Sequence, residues 1–239
     1  MDVFTNIAPH LIRRNFFMAH KITFADIKHS QEVRTYIKQA DASLEALGYT
    51  EHSFAHCTKC AEVAGDILSE LDYKPHEIEL ARIAAFMHDI GNVVNRVDHA
   101  QSGAIMAFRL LDKMGMDAKD TAAVITAIGN HDEATAYPVN AVAAALILAD
   151  KTDVRRSRVR NQATIYTDIH DRVNYAVEKA IVKLKKEEKT ITLHLTIDTE
   201  ICPVMEYFEI FLERMLLCRK AADFFELKFK LVINGNALL

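Results

Sequence analysis

The stretch FMHDIGN, Phe86–Asn92, sets a histidine and an aspartate side by side at the end of an apolar helical pattern. Phe86, Met87 and Ile90 mark the surroundings as buried. Buried His and Asp need partners, because an unpaired polar or charged group away from water is costly. Two readings are open at this point: His88 and Asp89 satisfy each other as a small structural network, or a metal ion sits between them.

Helical periodicity extends in both directions from this stretch. From Phe24 to Gly48 the apolar residues Ile27, Val33, Ile37, Leu44 and Leu47 read as one helix, with Gly48 as its stop. Residues 51–71 predict a second helix and HEIELARIAAFMHDIG a third, ended by Gly91. HAQSGAIMAFRLLDKMG gives a fourth, with Gly115 after it. AKDTAAVITAIGNHD and NAVAAALILADKTD give two more, separated by a break at Tyr137-Pro138. The region to about residue 160 therefore reads as all-α.

The tail has a different period. In TITLHLTID, residues 190–198, Ile191, Leu193, Leu195 and Ile197 alternate with polar residues, as in a strand. The preceding YAVEKAIVKLKKEEK alternates towards its end, so a hairpin turning through Lys186-Glu187-Glu188-Lys189 is expected. CPVMEYFEIFLERMLLCRKAADFF then reads as a long helix opened by Pro203. ELKFKLVI closes the chain as a strand ending at Asn234-Gly235. The stripe Phe208, Phe211 and Met215 is read as packing between the tail helix and its sheet. The expected fold class is mainly α, a helical bundle with a small C-terminal α+β (β-β-α-β) appendage. Its expected divisions are an N-terminal extension, poorly ordered, over 1–22, a helical metal-binding domain over 23–162 and the appendage over 163–239.

Composition narrows the function. The 239 residues suffice for one sizeable core, and the net charge of -4 gives no overall reason to expect a nucleic-acid partner. The longest apolar run, Ala141–Ala149, is closed by Asp150-Lys151 and reads as a buried helix, so no membrane partner is expected. Behind Arg13-Arg14, NFFMAHK is too short and too polar for a signal-peptide core, and a cytoplasmic location is expected. Cys57 and Cys60 form a CxxC without a second one, and are read as core residues. Seven glycines build no phosphate loop of the P-loop type, which removes kinase and motor readings.

Strong ligand types recur where apolar helices begin or end: His56, His88, Asp89, His99, His131 and Asp150. A helical bundle gathers such residues from distant sequence into one interior cavity. Imidazole with carboxylate suits Fe, Mn, Zn or Ni better than Ca or Mg, although Mg stays among the divalent ions considered. His52 and His56 lie one helical turn apart and could chelate an ion by themselves. Asp98 and Asp132, beside His99 and His131, are read as exposed near helix ends.

The order His56, then His88-Asp89, then Asp150 resembles the HD superfamily of metal-dependent phosphohydrolases over roughly residues 50–155. The resemblance implies that these four residues hold one metal, that His99 and His131 serve a second ion, and that Asp89 bridges the two. It favours His56 over His52, because the small residues Cys60-Ala61 behind His56 are similar to the family pattern. The whole chain, tail included, resembles a bacterial group of HD domain proteins whose members begin near Met18. HD-GYP cyclic dinucleotide phosphodiesterases carry Lys after HDIG and a downstream Gly-Tyr-Pro. This chain has Asn92 and no such tripeptide, so that activity is not expected.

The resemblance implies a phosphohydrolase in which one or two ions activate water for attack on a phosphate ester or anhydride, with a small phosphorylated partner of the nucleotide class. Asp89, His88 and Lys151 are the expected catalytic residues. Arg96, Lys151, Arg155 and Arg158 are the candidate phosphate cations, each equally readable as part of a solvated basic face. The alternative is a non-catalytic module that senses a nucleotide or assembles through the tail, using the metal structurally. RNA binding through KTDVRRSRVR is weaker, because no aromatic stacking platform accompanies it. A homo-oligomer is expected, since so small a sheet exposes edges.

Overall fold

The computed structural model describes residues 21–238. The extension expected over residues 1–22 lies outside the described residues except for its last two.

The stretch read as one helix from Phe24 to Gly48 is two, α1 (Phe24–His29) and α2 (Gln31–Ala46). The break is at Ser30, whose backbone is extended at ψ 117°. Its N–H donates to the Ile27 carbonyl, closing α1, while its hydroxyl accepts from the Val33 N–H at 3.4 Å and opens α2. A serine that can cap both ends supplies a local alternative to helix continuation.

The remaining bundle helices lie close to their expected positions: α3 (Phe54–Glu70), α4 (Pro75–Met87), α5 (His99–Met114), α6 (Ala118–Gly129) and α7 (Ala141–Lys151). Ser53, Asp117 and Asn140 cap the starts of α3, α6 and α7, and α5 ends on Gly115 in the left-handed region at φ 86°. Every residue of α7 from Val142 to Lys151 is buried, and the helix packs against α3, α4, α6 and the long tail helix Val204–Phe224. The apolar run at its heart is thus a core helix. Among the described residues no helix is long and apolar enough to cross a membrane.

After α4 the chain makes a short 3-10 turn, Ile90–Val93, on which the start of α5 rests. The contact is backbone to backbone. A Cβ on Gly91 would lie 2.0 Å from the His99 carbonyl oxygen and 2.5 Å from the Gly103 nitrogen. The glycine of HDIG therefore sets how closely His99 approaches Asp89.

Beyond α8 (Ile169–Ala176) the tail forms β1 (Val177–Lys185), β2 (Thr190–Ile197), α9 (Val204–Phe224), β3 (Lys228–Ile233) and a two-residue β4 (Asn236–Ala237). The sheet order is β1-β2-β3-β4, with β1 antiparallel to β2, β2 parallel to β3 through the α9 crossover, and β4 folded back on β3. The alternation read in the sequence places Ile191, Leu193, Leu195 and Ile197 in the core, together with Phe229, Leu231 and Ile233.

One feature of α9 differs from expectation. Phe211 and Met215 are buried, yet the helix packs against α7 and α8 as well as β3. It is wedged between the bundle and the sheet because its apolar residues cover more than one face. The hydrophobic core is accordingly continuous from Ile27 through the bundle to Ile233. Cys57 and Cys60 are free and fully buried, and burial pushes both thiols well above their ordinary range, as suits core residues.

Candidate metal centre

Six side chains converge where helices begin or end. His56 lies in the first turn of α3. His88 and Asp89 follow the last residue of α4, His99 is the first residue of α5, His131 comes just after α6, and Asp150 is in the last turn of α7. All six are buried, at 0–8% exposure.

Around the first cluster, His56 Nε2 lies 3.3 Å from His88 Nε2, 3.6 Å from Asp89 Oδ2 and 3.4 Å from Asp150 Oδ1. His88 Nε2 lies 3.1 Å from the same Asp89 oxygen and 3.7 Å from the same Asp150 oxygen. Metal–ligand bonds of about 2.1 Å place neighbouring ligand atoms about 3.0–3.4 Å apart, so these separations suit one ion. On the other side of Asp89, Oδ1 lies 3.6 Å from His99 Nε2, which is 3.2 Å from His131 Nε2.

The hydrogen bonds on the far edges of the rings decide what the near edges offer. Nδ1 of His56 meets Asp153 Oδ2 at 2.8 Å, that of His88 the Ala85 carbonyl at 2.7 Å, that of His99 the Arg96 carbonyl at 3.1 Å, and that of His131 the Ile128 carbonyl at 2.6 Å. Each partner is an acceptor, so each Nδ1 carries a hydrogen, and in the neutral ring Nε2 presents a lone pair. Lone pairs facing each other at 3.2–3.3 Å repel unless a cation lies among them. Asp89 Oδ2 is buried and has no aligned hydrogen-bond donor among the described residues. A divalent ion fits both requirements.

The charges agree with this donor set. Burial would push the Asp89 and Asp150 carboxyls up, but His88 beside Asp89 and Lys151 beside Asp150 hold both well below the usual carboxylate range. Burial pushes His88 down, yet the two carboxylates hold it at about 10, so a proton on His88 compensates them when no ion does. Burial, with His88 and Lys151 nearby, drives His131 down to about 3. An ion held here would replace the proton on His88 and would use the lone pair of His131.

A family model described as the HD domain matches residues 53–155, a span that contains all six clustered side chains and Asp153. Residues 53–155 carry the HD domain. An uncharacterised protein of Methanocaldococcus jannaschii is 26% identical over 204 residues, covering 75% of this chain and 78% of the relative. A predicted HD superfamily hydrolase from an uncultured Thermotogales bacterium, known from a crystal structure, is 29% identical. That structure has a TM-score of 0.43 and the match covers 53% of this chain and 69% of the other. HD domains bind divalent metals, and the His/Asp groups of this HD domain could hold such an ion.

The candidate cations have different surroundings. The Lys151 ammonium is buried between Asp150 Oδ2 at 2.7 Å and Glu133 Oε2 at 3.2 Å. Arg158 is buried beside the cluster and donates to the carbonyls of Glu51 and Asp153 at 2.9 and 2.8 Å. Arg96 has one terminal nitrogen 3.2 Å from His99 Nε2, and its guanidinium lies over the Tyr49 ring. Arg155 is not brought to the cluster. It donates to Asp153 and Ser157 and borders a separate groove with Phe54 and Lys59.

The other basic residues of KTDVRRSRVR are also engaged internally: Arg156 donates to the Tyr175 carbonyl and Arg160 to Asp41. His52 stays off both clusters. Its Nδ1 bonds the Thr50 carbonyl at 2.7 Å, and its ring lines both the pocket that holds Asp89, His99 and Asp150 and the cavity beside it. Asp98 is exposed, whereas Asp132 is half-buried with Oδ1 3.9 Å from His99 Nε2.

The sequence reading passed over Asp153, Glu133 and Arg214. Asp153 was readable in principle, since it follows Asp150 by three residues and a metal-bound histidine ordinarily has an acceptor on its other nitrogen. Arg214, on α9, borders the same buried pocket as Asp89, His99 and Asp150. Nothing local in its sequence indicates that.

Proposed function

We propose that the chain is a metal-dependent phosphohydrolase that cleaves a phosphate ester or anhydride of a small molecule of the nucleotide class. His56, His88, Asp89 and Asp150 would hold one ion, and His99, His131 and the second oxygen of Asp89 another. Ions bound there supply Lewis-acid charge, which lowers the pKa of a water and neutralises oxygens on the phosphoryl group.

The chain's own residues fix that arrangement. Asp153 orients the His56 ring, and backbone carbonyls orient the other three, so the Nε2 atoms converge without further adjustment. Lys151 is read as a positioning residue, because both of its near partners are carboxylates and one belongs to a ligand. Arg96 and Arg158 bring positive charge to the pocket, where a transferring phosphoryl group needs it. The cavity that adjoins the cluster, about 380 Å³, is of a size for a small molecule.

The observation that carries the reading is the position of Asp89, whose two oxygens face different sets of Nε2 lone pairs. Its test is phosphate release from a panel of nucleotides and simple phosphate esters by protein loaded with Mn²⁺, Fe²⁺ or Zn²⁺. Turnover that Asp89→Ala abolishes supports the proposal. Metal-loaded protein that turns over none of the panel contradicts it.

A further inference from the structure

The cavity beside the metal cluster is not walled by the HD domain alone. Tyr49, His52, Arg96 and Arg158 form one side, and α8 and α9 of the tail form the other, through Asp171, Asn174, Phe211 and Arg214. Arg214 borders both this cavity and the pocket holding Asp89, His99, His131 and Asp150. It is therefore the tail residue that joins the two spaces.

Its side chain is held in a fixed pose. Nε lies 2.7 Å from Glu133 Oε1, and the guanidinium stacks over the Phe211 ring with its carbon 4.7 Å from the ring centre. Glu133 is in turn fixed by Lys151, which also pairs with the ligand Asp150, so alternating charges run Asp150, Lys151, Glu133, Arg214 from the cluster to α9. Lys151 is already held between two carboxylates, and Arg158 already donates twice to backbone carbonyls. By contrast, Arg214 approaches its carboxylate partner through Nε, the inner nitrogen of the guanidinium. A guanidinium held by a carboxylate and a ring, and lining the pocket beside a metal cluster, is a ready fork for an oxyanion.

We propose that Arg214 binds the phosphoryl group of the substrate, so that the tail supplies part of the active site. This inference rests on the phosphohydrolase reading. It assigns α9 a binding role and Glu133 a positioning one.

The test titrates the full chain, loaded with Mn²⁺, with inorganic phosphate by calorimetry, and measures bound metal in the same samples. Arg214→Met is expected to weaken phosphate binding about ten- to a hundred-fold with metal content unchanged, and Arg214→Lys to fall in between. Wild-type affinity in Arg214→Met overturns the assignment of Arg214 and leaves the hydrolase reading standing. Wild-type protein that holds metal but binds no phosphate overturns both. A second measurement needs no variant: phenylglyoxal labelling of wild-type protein, read by mass spectrometry. Phosphate is expected to protect Arg214 from the reagent, and unchanged labelling overturns the proposal.

Discussion

Asp153 Oδ2 accepts a hydrogen bond from His56 Nδ1 at 2.8 Å, and this contact turns the His56 lone pair towards His88 and Asp150. The carboxylate is itself buried and held by Arg158 and Arg155. Such a partner fixes ring orientation and raises the basicity of the ligand nitrogen. Asp153→Asn is expected to lower metal affinity about 10- to 100-fold while leaving helix content unchanged. Metal titration with circular dichroism on the same samples checks this.

The close approach at Gly91 yields a second prediction. Gly91→Ala would put its Cβ 2.0 Å from the His99 carbonyl oxygen, so α5 must move away from the turn after α4. The expected cost is about 1–3 kcal/mol, as for overpacked cores, together with weaker metal binding because His99 moves with its helix. Urea unfolding measures the first effect and metal titration the second. Gly115→Ala tests a different constraint: nothing lies within 4 Å of its Cβ position, but φ is +86°, so only backbone strain is lost or gained.

The half-buried Glu133 gives stability a pH dependence whose sign can be stated. Burial pushes its carboxyl up, but Lys151 and Arg214 outweigh burial and hold it at about 2, below the ordinary 4.5. A depressed carboxyl pKa stabilises the fold above the unfolded value, and the contribution is lost as pH falls from about 4.5 towards 2. Glu133→Gln is expected to be less stable than wild type by roughly 1–3 kcal/mol at neutral pH. The gap should narrow on acidification below 4.5, as followed by urea midpoints of the two metal-free proteins.

Ion binding should also register as thermal stability. An ion at a hundred times its dissociation constant adds about 2.7 kcal/mol to a folded state that alone binds it. For a chain of this size that corresponds to roughly 5–10 °C in midpoint. Chelator is expected to remove the increment from wild type, and Asp89→Ala is expected to show no metal-dependent shift. Differential scanning fluorimetry with and without Mn²⁺ reads both.

How much of this was legible in the sequence depended on distance along the chain. The helices were visible because apolar spacing is local, and α7 was readable as a core helix because its apolar run stops at Asp150-Lys151. The six clustered side chains could be singled out because each stands at a helix end, where an apolar pattern makes a His or Asp conspicuous. The break at Ser30 was hidden, since apolar periodicity runs through it and only a pair of capping hydrogen bonds divides the helices. Arg214 and Glu133 could not be paired from sequence. They meet only because α9 packs between the bundle and the sheet, and that follows from side-chain volume on two faces of one helix. Arg155 shows the converse: it is near Asp150 in sequence, yet its charge is spent on Asp153 outside the cluster.

Whether these six residues hold metal decides whether His88 and Asp89 are ligands. The most direct measurement is elemental analysis of protein purified without chelator and then saturated with Mn²⁺, alongside Asp89→Ala treated identically. One to two ions per wild-type chain and substantial loss in the variant are expected, with both proteins folded. Metal-free wild type, or equal metal in a folded Asp89→Ala protein, would contradict this and return His88 and Asp89 to a hydrogen-bonded core pair.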